Sequence, residues 1–363
     1  MNCLVGRRKT ELDTPTLCID VDLMERNLAR MASFFASRPA KLRPHIKTHK
    51  SVAIAHRQLA AGAIGITCAK LGEAEAMAGG RVDDILIANQ IIGKNKMSRL
   101  MELASKCSVK VAVDSAENIA ALEQAARSRG MRLSILVEVD IGMGRCGVQP
   151  GEPALRLAQQ VVNSRFLSFD GLMGYEGHTV MIPDRGERKR QTESSLSLLL
   201  ETKSQIELRG IPVGIVSSGG TGTYDITGIY PGVTEVQAGS YVTMDTQYRD
   251  IVGVDFECAL FVLAQVISLP GPGRAVIDAG LKTMTRDFGL PIVAHPDGWR
   301  LISLSEEHAV LQHEGGPHLR MGQQVEIWPN HGCTTVNLHD QFVALRDDMV
   351  EDVWPIDGRG KVQ

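Results

Sequence analysis

The stretch "LRPHIKTHK", residues 42–50, places two histidines, three basic residues and a proline directly behind apolar positions. A solvated surface loop has that composition. So does the end of a strand that presents one lysine for chemistry. Leu42 and Ile46 keep apolar register around the segment, so we read "KLRPHIK" (41–47) as a strand ending on an enclosed Lys47. Seven more apolar runs follow at strand length: "AIGITCA" (63–69), "DILIA" (84–88), "VKVAV" (109–113), "SILVEVD" (134–140), "FDGLMGY" (169–175), "VGIVSSG" (213–219) and "TEVQAG" (234–239).

Helical patterns separate most of these runs, among them "NIAALEQAARSRG" and "ESSLSLLLETKSQIELRG", with Gly130 and Gly210 as stop signals. An earlier strand-like run, "TLCID", precedes "DLMERNLARMASFF", where Met24, Leu28, Met31 and Phe35 recur at helical spacing and Asp22 with Glu25 suggests a capping box. Apolar strands alternating with helices imply a parallel sheet covered by helices. Eight such units predict an α/β fold, a closed (β/α)8 TIM barrel over residues 22–250. A doubly wound open sheet is the alternative, but no GxGxxG follows the first strand. After about residue 250 the texture changes to short strands with turns between them, such as "RAVIDAG", "WRLISLS" and "QFVALRD". Residues 251–363, together with 1–21, are expected to form a β-rich domain.

The net charge of −3 argues against a nucleic-acid binder, and no apolar run reaches membrane-spanning length. The N-terminal stretch lacks the apolar core of a signal peptide, so the expected compartment is the cytosol. Seven cysteines without CxxC spacing read as reduced thiols, not as a disulfide framework.

In a barrel, reactive groups gather at the C-terminal strand ends. These ends offer Lys47 with Lys50 and Lys70 as rivals, Asp140 and Arg145 in "EVDIGMGRCG", and Tyr175, Glu176 and His178 in "GYEGH". The last two strands end in "SSGGTGTY" (217–224) and "QAGSYVTMD" (237–245). Consecutive glycines and hydroxyl residues can aim backbone N–H groups at one anion, and these are the usual phosphate positions of the fold. A lysine at one strand end and a phosphate cradle at others suggest pyridoxal 5′-phosphate, with the lysine as its Schiff-base partner.

A second constellation lies in "PNHGCTTVNLHD" (329–340). On an extended segment His331 and Cys333 point the same way and could grip a metal. Two ligands leave room for substrate or water, which marks a catalytic site. Imidazole with thiolate favours zinc, and manganese stays open. His339 and Asp340, or Glu307 and His308, are available as supporting partners.

Together "RPHIKTHK", "EVDIGMGRCGV", "GYEGH", "SSGGTGTY", "EVQAGSYVTMD", "IDAGLK", "EEHAVL", "HGCTTVNLHD" and "VWPIDGRG" resemble the D-threonine aldolase and D-serine dehydratase family, fold-type III pyridoxal phosphate enzymes related to alanine racemase. The resemblance spans about residues 13–361. It implies a homodimer and a divalent metal beside the coenzyme. It also implies that Lys47 is the Schiff-base lysine, that Arg145 lies near the ring hydroxyl or substrate, and that Tyr175 faces the pyridine nitrogen. Ser218, Gly219, Gly220 and Thr221, with Gly239, Ser240 and Tyr241, match the phosphate loops, and His331 with Cys333 matches the metal pair. Many D-threonine aldolases carry Asp at the second metal position and the dehydratases carry Cys, so Cys333 departs from the aldolase pattern. The "SGGTGTY", "AGSYVTMD" and "VWPIDGRG" segments lie closer to the aldolases.

The implied reaction is cleavage of a small D-3-hydroxy amino acid, such as D-threonine, to glycine and an aldehyde, with His178 or a metal-bound hydroxide as base. The alternatives are D-serine dehydration to pyruvate and ammonia, and cleavage of D-3-hydroxyaspartate. A non-catalytic pyridoxal phosphate carrier fits less well, because it would lack the β domain and the "HGC" pair.

Overall fold

A computed structural model describes residues 4–363. Residues 1–3, grouped above with the β domain, lie outside the described residues. The chain divides into two compact units. One holds the chain up to Ala29, Thr48–Ala53 and Ser240–Gly360; the other holds Arg30–Lys47, Ile54–Gly239 and Lys361–Gln363.

The first strand, β1 (Thr16–Asp20), belongs to the first of these units. The second unit contains eight parallel strands: β2 (Lys41–Leu42), β3 (Ile66–Cys68), β4 (Asp84–Ile87), β5 (Ser108–Val113), β6 (Leu133–Glu138), β7 (Leu167–Met173), β8 (Ile215–Ser218) and β9 (Glu235–Val236). Their order is β2-β9-β8-β7-β6-β5-β4-β3, every neighbouring pair parallel. A parallel bridge between His45 and Thr67 joins the two ends of that order, so the sheet returns on itself as the (β/α)8 pattern predicts. The strands are apolar because both faces are covered. Leu86, Ala112, Leu136 and Met173 pack into one cluster from β4 to β7.

The strands are shorter than the apolar runs at the ends that matter. Of the 41–47 run, only Lys41 and Leu42 form a strand and His45 makes a single bridge, while Ile46–Thr48 is a 3-10 turn. Pro44 has no N–H for a ladder, although its carbonyl still accepts from Thr67 N at 2.9 Å. Lys47 therefore stands on a turn just beyond a strand. Gly239 likewise lies beyond β9, where a Cβ would fall 2.1 Å from the His45 carbonyl oxygen.

At the N-terminal ends of the strands, Arg43 is 3% exposed and bonds Glu235 at 2.9 Å and Asp84 at 2.6 Å. Lys110 also reaches Asp84, at 3.0 Å. Arg43 and Lys110 outweigh burial and hold the Asp84 carboxyl below its ordinary range. This ionic plug occupies the end of the strands away from Lys47.

In the helix Val21–Ala36, the expected stripe of Met24, Leu28, Met31 and Phe35 is buried. The expected capping box is not formed. Asp20 accepts from Leu23 N at 2.9 Å, while Asp22 and Glu25 pair with Arg346.

The other unit is built on one sheet. Its strands are β1 together with β10 (Leu260–Gly271), β11 (Arg274–Ile277), β12 (Ile292–His295), β13 (Trp299–Leu304), β14 (Ala309–His313), β15 (Gln324–Trp328), β16 (Gln341–Arg346) and β17 (Met349–Pro355). All pairings are antiparallel except β1 with β16. Leu12, Cys18, Phe261, Leu263, Val343, Leu345 and Val350 form a core beside it. Strand β12 was not among the sequence expectations. Among the described residues no helix is long and apolar enough to cross a membrane.

Candidate active site

Lys47, Arg145 and Tyr175 follow three different strands, and the barrel brings them together. The Lys47 Nζ lies 5.8 Å from the centre of the Tyr175 ring, and the Arg145 guanidinium carbon lies 5.9 Å from it. A cation over an aromatic face is attracted by the ring's negative quadrupole. Lys47 is half-buried, and its backbone N–H donates to His45 Nδ1 at 3.3 Å. The rival lysines are placed otherwise. Lys50 reaches Asn337 Oδ1 at 3.0 Å, and Lys70 precedes the helix Leu71–Gly79 with its backbone N–H on the Glu73 carboxylate.

Asp140 shapes the loop that carries Arg145. Its Oδ1 accepts from Gly142 N at 3.1 Å and from Gly144 N at 3.0 Å, while Asp114 accepts from Gly147 N at 3.1 Å. Glu138, at the end of β6, accepts from Gln90 Nε2 at 2.5 Å, and burial raises its carboxyl above the usual range. Glu138, Arg145 and Tyr175 share one small recess.

The glycine-rich loop after β8 is buried from Ser218 to Thr223, and its inner face is organised by Glu176. The Glu176 Oε2 accepts from Ser218 Oγ at 2.7 Å and Gly219 N at 3.1 Å. Its Oε1 accepts from Thr223 Oγ1 at 2.8 Å and Thr227 Oγ1 at 2.6 Å. Gly220 N donates in turn to Thr223 Oγ1 at 3.2 Å. The hydroxyl and amide at 218 and 219, read from sequence as phosphate donors, thus carry bonds to a carboxylate. Gly219 has φ +85°, a conformation that favours glycine. A Cβ on Gly220 would stand 3.3 Å from Tyr175 Oη, so that backbone comes close to the aromatic ring.

In the loop after β9, Ser240 Oγ lies 3.2 Å from Thr48 Oγ1, and both side chains are buried. Tyr241 is buried against Phe256, ring centres 5.6 Å apart. His178 is exposed. Its Nε2 lies 3.5 Å from Ser195 Oγ, and a Cβ on Gly142 would meet the ring at 3.0 Å.

The metal pair stands on different backbone from that expected. The extended reading of 329–340 is corrected: His331 caps a short helix, Gly332–Val336, whose first turn carries Cys333. His331 Nδ1 lies 3.0 Å from Asp287 Oδ2, and Thr334 donates to the same carboxylate oxygen. Burial opposes the charged imidazole, but Cys333 and Asp287 outweigh it and push His331 up to about 9. Thr48 Oγ1 lies 3.4 Å from Cys333 Sγ. Asp245, deeply buried and raised by burial, accepts from Gly332 N at 3.0 Å and fixes the start of the helix.

Asp287 and Asp245 were invisible to pattern reading, since each is remote in sequence from His331. The partners suggested by proximity serve elsewhere. His339 Nε2 meets the Thr283 carbonyl at 2.7 Å, Asp340 pairs with Arg359, and Glu307 pairs with Lys282. His308 gives its carbonyl to Ser305. Among the described residues no group of three or more His, Cys, Asp or Glu side chains is arranged to hold a metal.

Comparison with known proteins gives these residues a context. The family described as "Alanine racemase, N-terminal domain" matches residues 19–247, and the "Putative serine dehydratase domain" matches residues 259–345. A D-threonine aldolase of an Arthrobacter species is 37% identical over 98% of this chain and 95% of its own. A 3-hydroxy-D-aspartate aldolase of Paracoccus denitrificans is 36% identical over 99% of this chain and 95% of its own. The crystal structure of D-threonine aldolase from Filomicrobium marinum superposes with a TM-score of 0.95, at 37% identity and 99% coverage of both chains.

Proposed function

The chain belongs to the D-threonine aldolase and D-serine dehydratase family of fold-type III pyridoxal phosphate enzymes and is a lyase, and from that premise we propose that it cleaves D-3-hydroxy amino acids, D-threonine among them, to glycine and an aldehyde. The observation that carries the reading is the placing of Lys47 and Arg145 by the Tyr175 ring, in a chain whose relatives at 36% and 37% identity are named aldolases.

The residues fit the coenzyme. An amine and a guanidinium stand 5.8 and 5.9 Å from the centre of one aromatic ring, and the loop beside that ring is backbone-lined, because a Cβ on Gly220 would crowd Tyr175. Pyridoxal phosphate, when bound, supplies a conjugated electron sink for the bond broken at Cα. Lys47 is the amine that would hold its aldehyde. By the resemblance, Arg145 would lie near the ring hydroxyl or the substrate, and Tyr175 would face the pyridine nitrogen. By the resemblance, Gly220, Thr221, Gly239, Ser240 and Tyr241 are the positions that would receive the phosphate. His178 accepts the proton of the substrate 3-hydroxyl at its imidazole.

The donor set of His331 and Cys333 fits a divalent cation, zinc by its nitrogen and sulfur chemistry, with manganese the alternative. Asp287 orients the imidazole, and water or substrate oxygen would complete the shell of a bound cation. We further propose a cytosolic homodimer. In support, all six cysteines of the described residues are free thiols, as a reducing compartment maintains them.

Cys333 favours a second reading, dehydration of D-serine, because the resemblance places Cys at this position in the dehydratases. Incubation of the purified protein with coenzyme, zinc or manganese, and each substrate in turn decides between them. D-threonine should yield glycine and acetaldehyde, and D-3-hydroxyaspartate should yield glycine and glyoxylate. Pyruvate and ammonia from D-serine, without glycine from either hydroxy amino acid, would overturn the aldolase reading.

A further inference from the structure

Glu176 is the most enclosed carboxylate near the coenzyme loop and has no part in the chemistry described above. It is 0% exposed and directly follows Tyr175. An ionised carboxylate offers about four acceptor positions, and burial is tolerable only when they are filled. Here four donors fill them, three hydroxyls and one amide, at 2.6 to 3.1 Å. The donors come from positions 218, 219, 223 and 227, so one side chain ties both ends of the glycine-rich loop and the short helix Tyr224–Thr227 behind it. The Thr223 hydroxyl extends the tie to Gly220 N.

A glycine-rich loop gains binding power only if its entropy has been removed before the ligand arrives. Charge-assisted bonds to a fixed carboxylate do this more strongly than neutral ones. The same bonds turn the Ser218 hydroxyl and the Gly219 amide inward, away from a ligand on the opposite face.

We propose that Glu176 is a positioning residue for the coenzyme's phosphate, holding the 218–227 loop in its receptive shape from behind, and that Ser218 and Gly219 serve this carboxylate and not the phosphate. The inference rests on the pyridoxal phosphate reading. It assigns Glu176 no contact with substrate or ring. Its signature is selective: loss of Glu176 should weaken the phosphate's contribution to binding and leave the amine–aldehyde condensation at Lys47 as it was.

The test titrates apo-protein, wild type and Glu176→Gln, with pyridoxal phosphate and separately with pyridoxal, following absorbance of the lysine adduct. The Gln amide puts an N–H where two donors point. Glu176→Gln should weaken pyridoxal phosphate tenfold or more and change pyridoxal less than twofold. If that variant does not fold, as judged by its thermal melt, Thr227→Val removes a single donor and should weaken pyridoxal phosphate threefold or more with pyridoxal unchanged. Equal losses for both ligands, or no loss for either, would overturn the proposal. So would a Ser218→Ala variant that weakens pyridoxal phosphate more than Glu176→Gln does. A wild-type protein that forms no adduct with either aldehyde would instead overturn the coenzyme reading beneath it.

Discussion

His331 Nδ1 and Asp287 Oδ2 stand 3.0 Å apart, and that pairing determines which imidazole nitrogen can serve a metal. With Nδ1 facing the carboxylate, Nε2 is the nitrogen that would be left for a metal. Asp287→Asn should weaken zinc or manganese binding by roughly 10- to 100-fold, measured by competition with a chromophoric chelator. An unchanged affinity would remove Asp287 from the metal site.

The lysine assignment has a covalent readout. Borohydride treatment of the coenzyme-loaded protein should label the peptide containing Lys47, by mass spectrometry, and Lys47→Ala should lose both label and turnover. Label retained at Lys50 or Lys70 in that variant would transfer the role to a rival.

Gly177 is pressed against the aromatic ring that gathers the two cations. A Cβ there would lie 2.4 Å from Tyr175 Cε1 and 2.8 Å from Met143 Sδ. Gly177→Ala should therefore cost about 1–3 kcal/mol in urea unfolding, as overpacked sites do. It should also shift the absorbance maximum of bound coenzyme, because the Tyr175 ring must move. A spectrum identical to wild type would mean that Tyr175 does not border the ring.

The ionic plug predicts acid behaviour. Burial alone would raise the Asp84 carboxyl, but Arg43 and Lys110 outweigh burial and lower it. A carboxyl lowered in the folded state contributes stability fully above its unfolded pKa of about 3.9 and loses it as pH falls through the folded value. Unfolding free energy measured from pH 5 downward should fall less steeply in Asp84→Asn than in wild type. Equal slopes would contradict the pairing. Arg43→Ala should be far more damaging, about 3–5 kcal/mol, because Glu235 is left buried without its partner.

The alternation of apolar runs with helical stripes was sufficient for the barrel. Strands buried on both faces need uninterrupted apolar residues, and covering helices need a 3.6-residue stripe. Met24, Leu28, Met31 and Phe35 illustrate the second rule, all buried as spaced. The strand-end motifs likewise exposed Lys47, Arg145 and Tyr175, because a parallel barrel gathers the residues that follow its strands.

The folded chain alone decided which polar groups pair across long sequence separations. Asp287 reaches His331 over 44 residues, and Glu176 reaches Thr227 over 51. No periodicity encodes such pairs, since a carboxylate reads the same in sequence whether it faces water or four buried donors. The identity of the strands was a local matter of hydrophobic pattern. The orientation of hydroxyls, amides and imidazole nitrogens is set by desolvation and hydrogen-bond geometry, which exist only once the loops are packed.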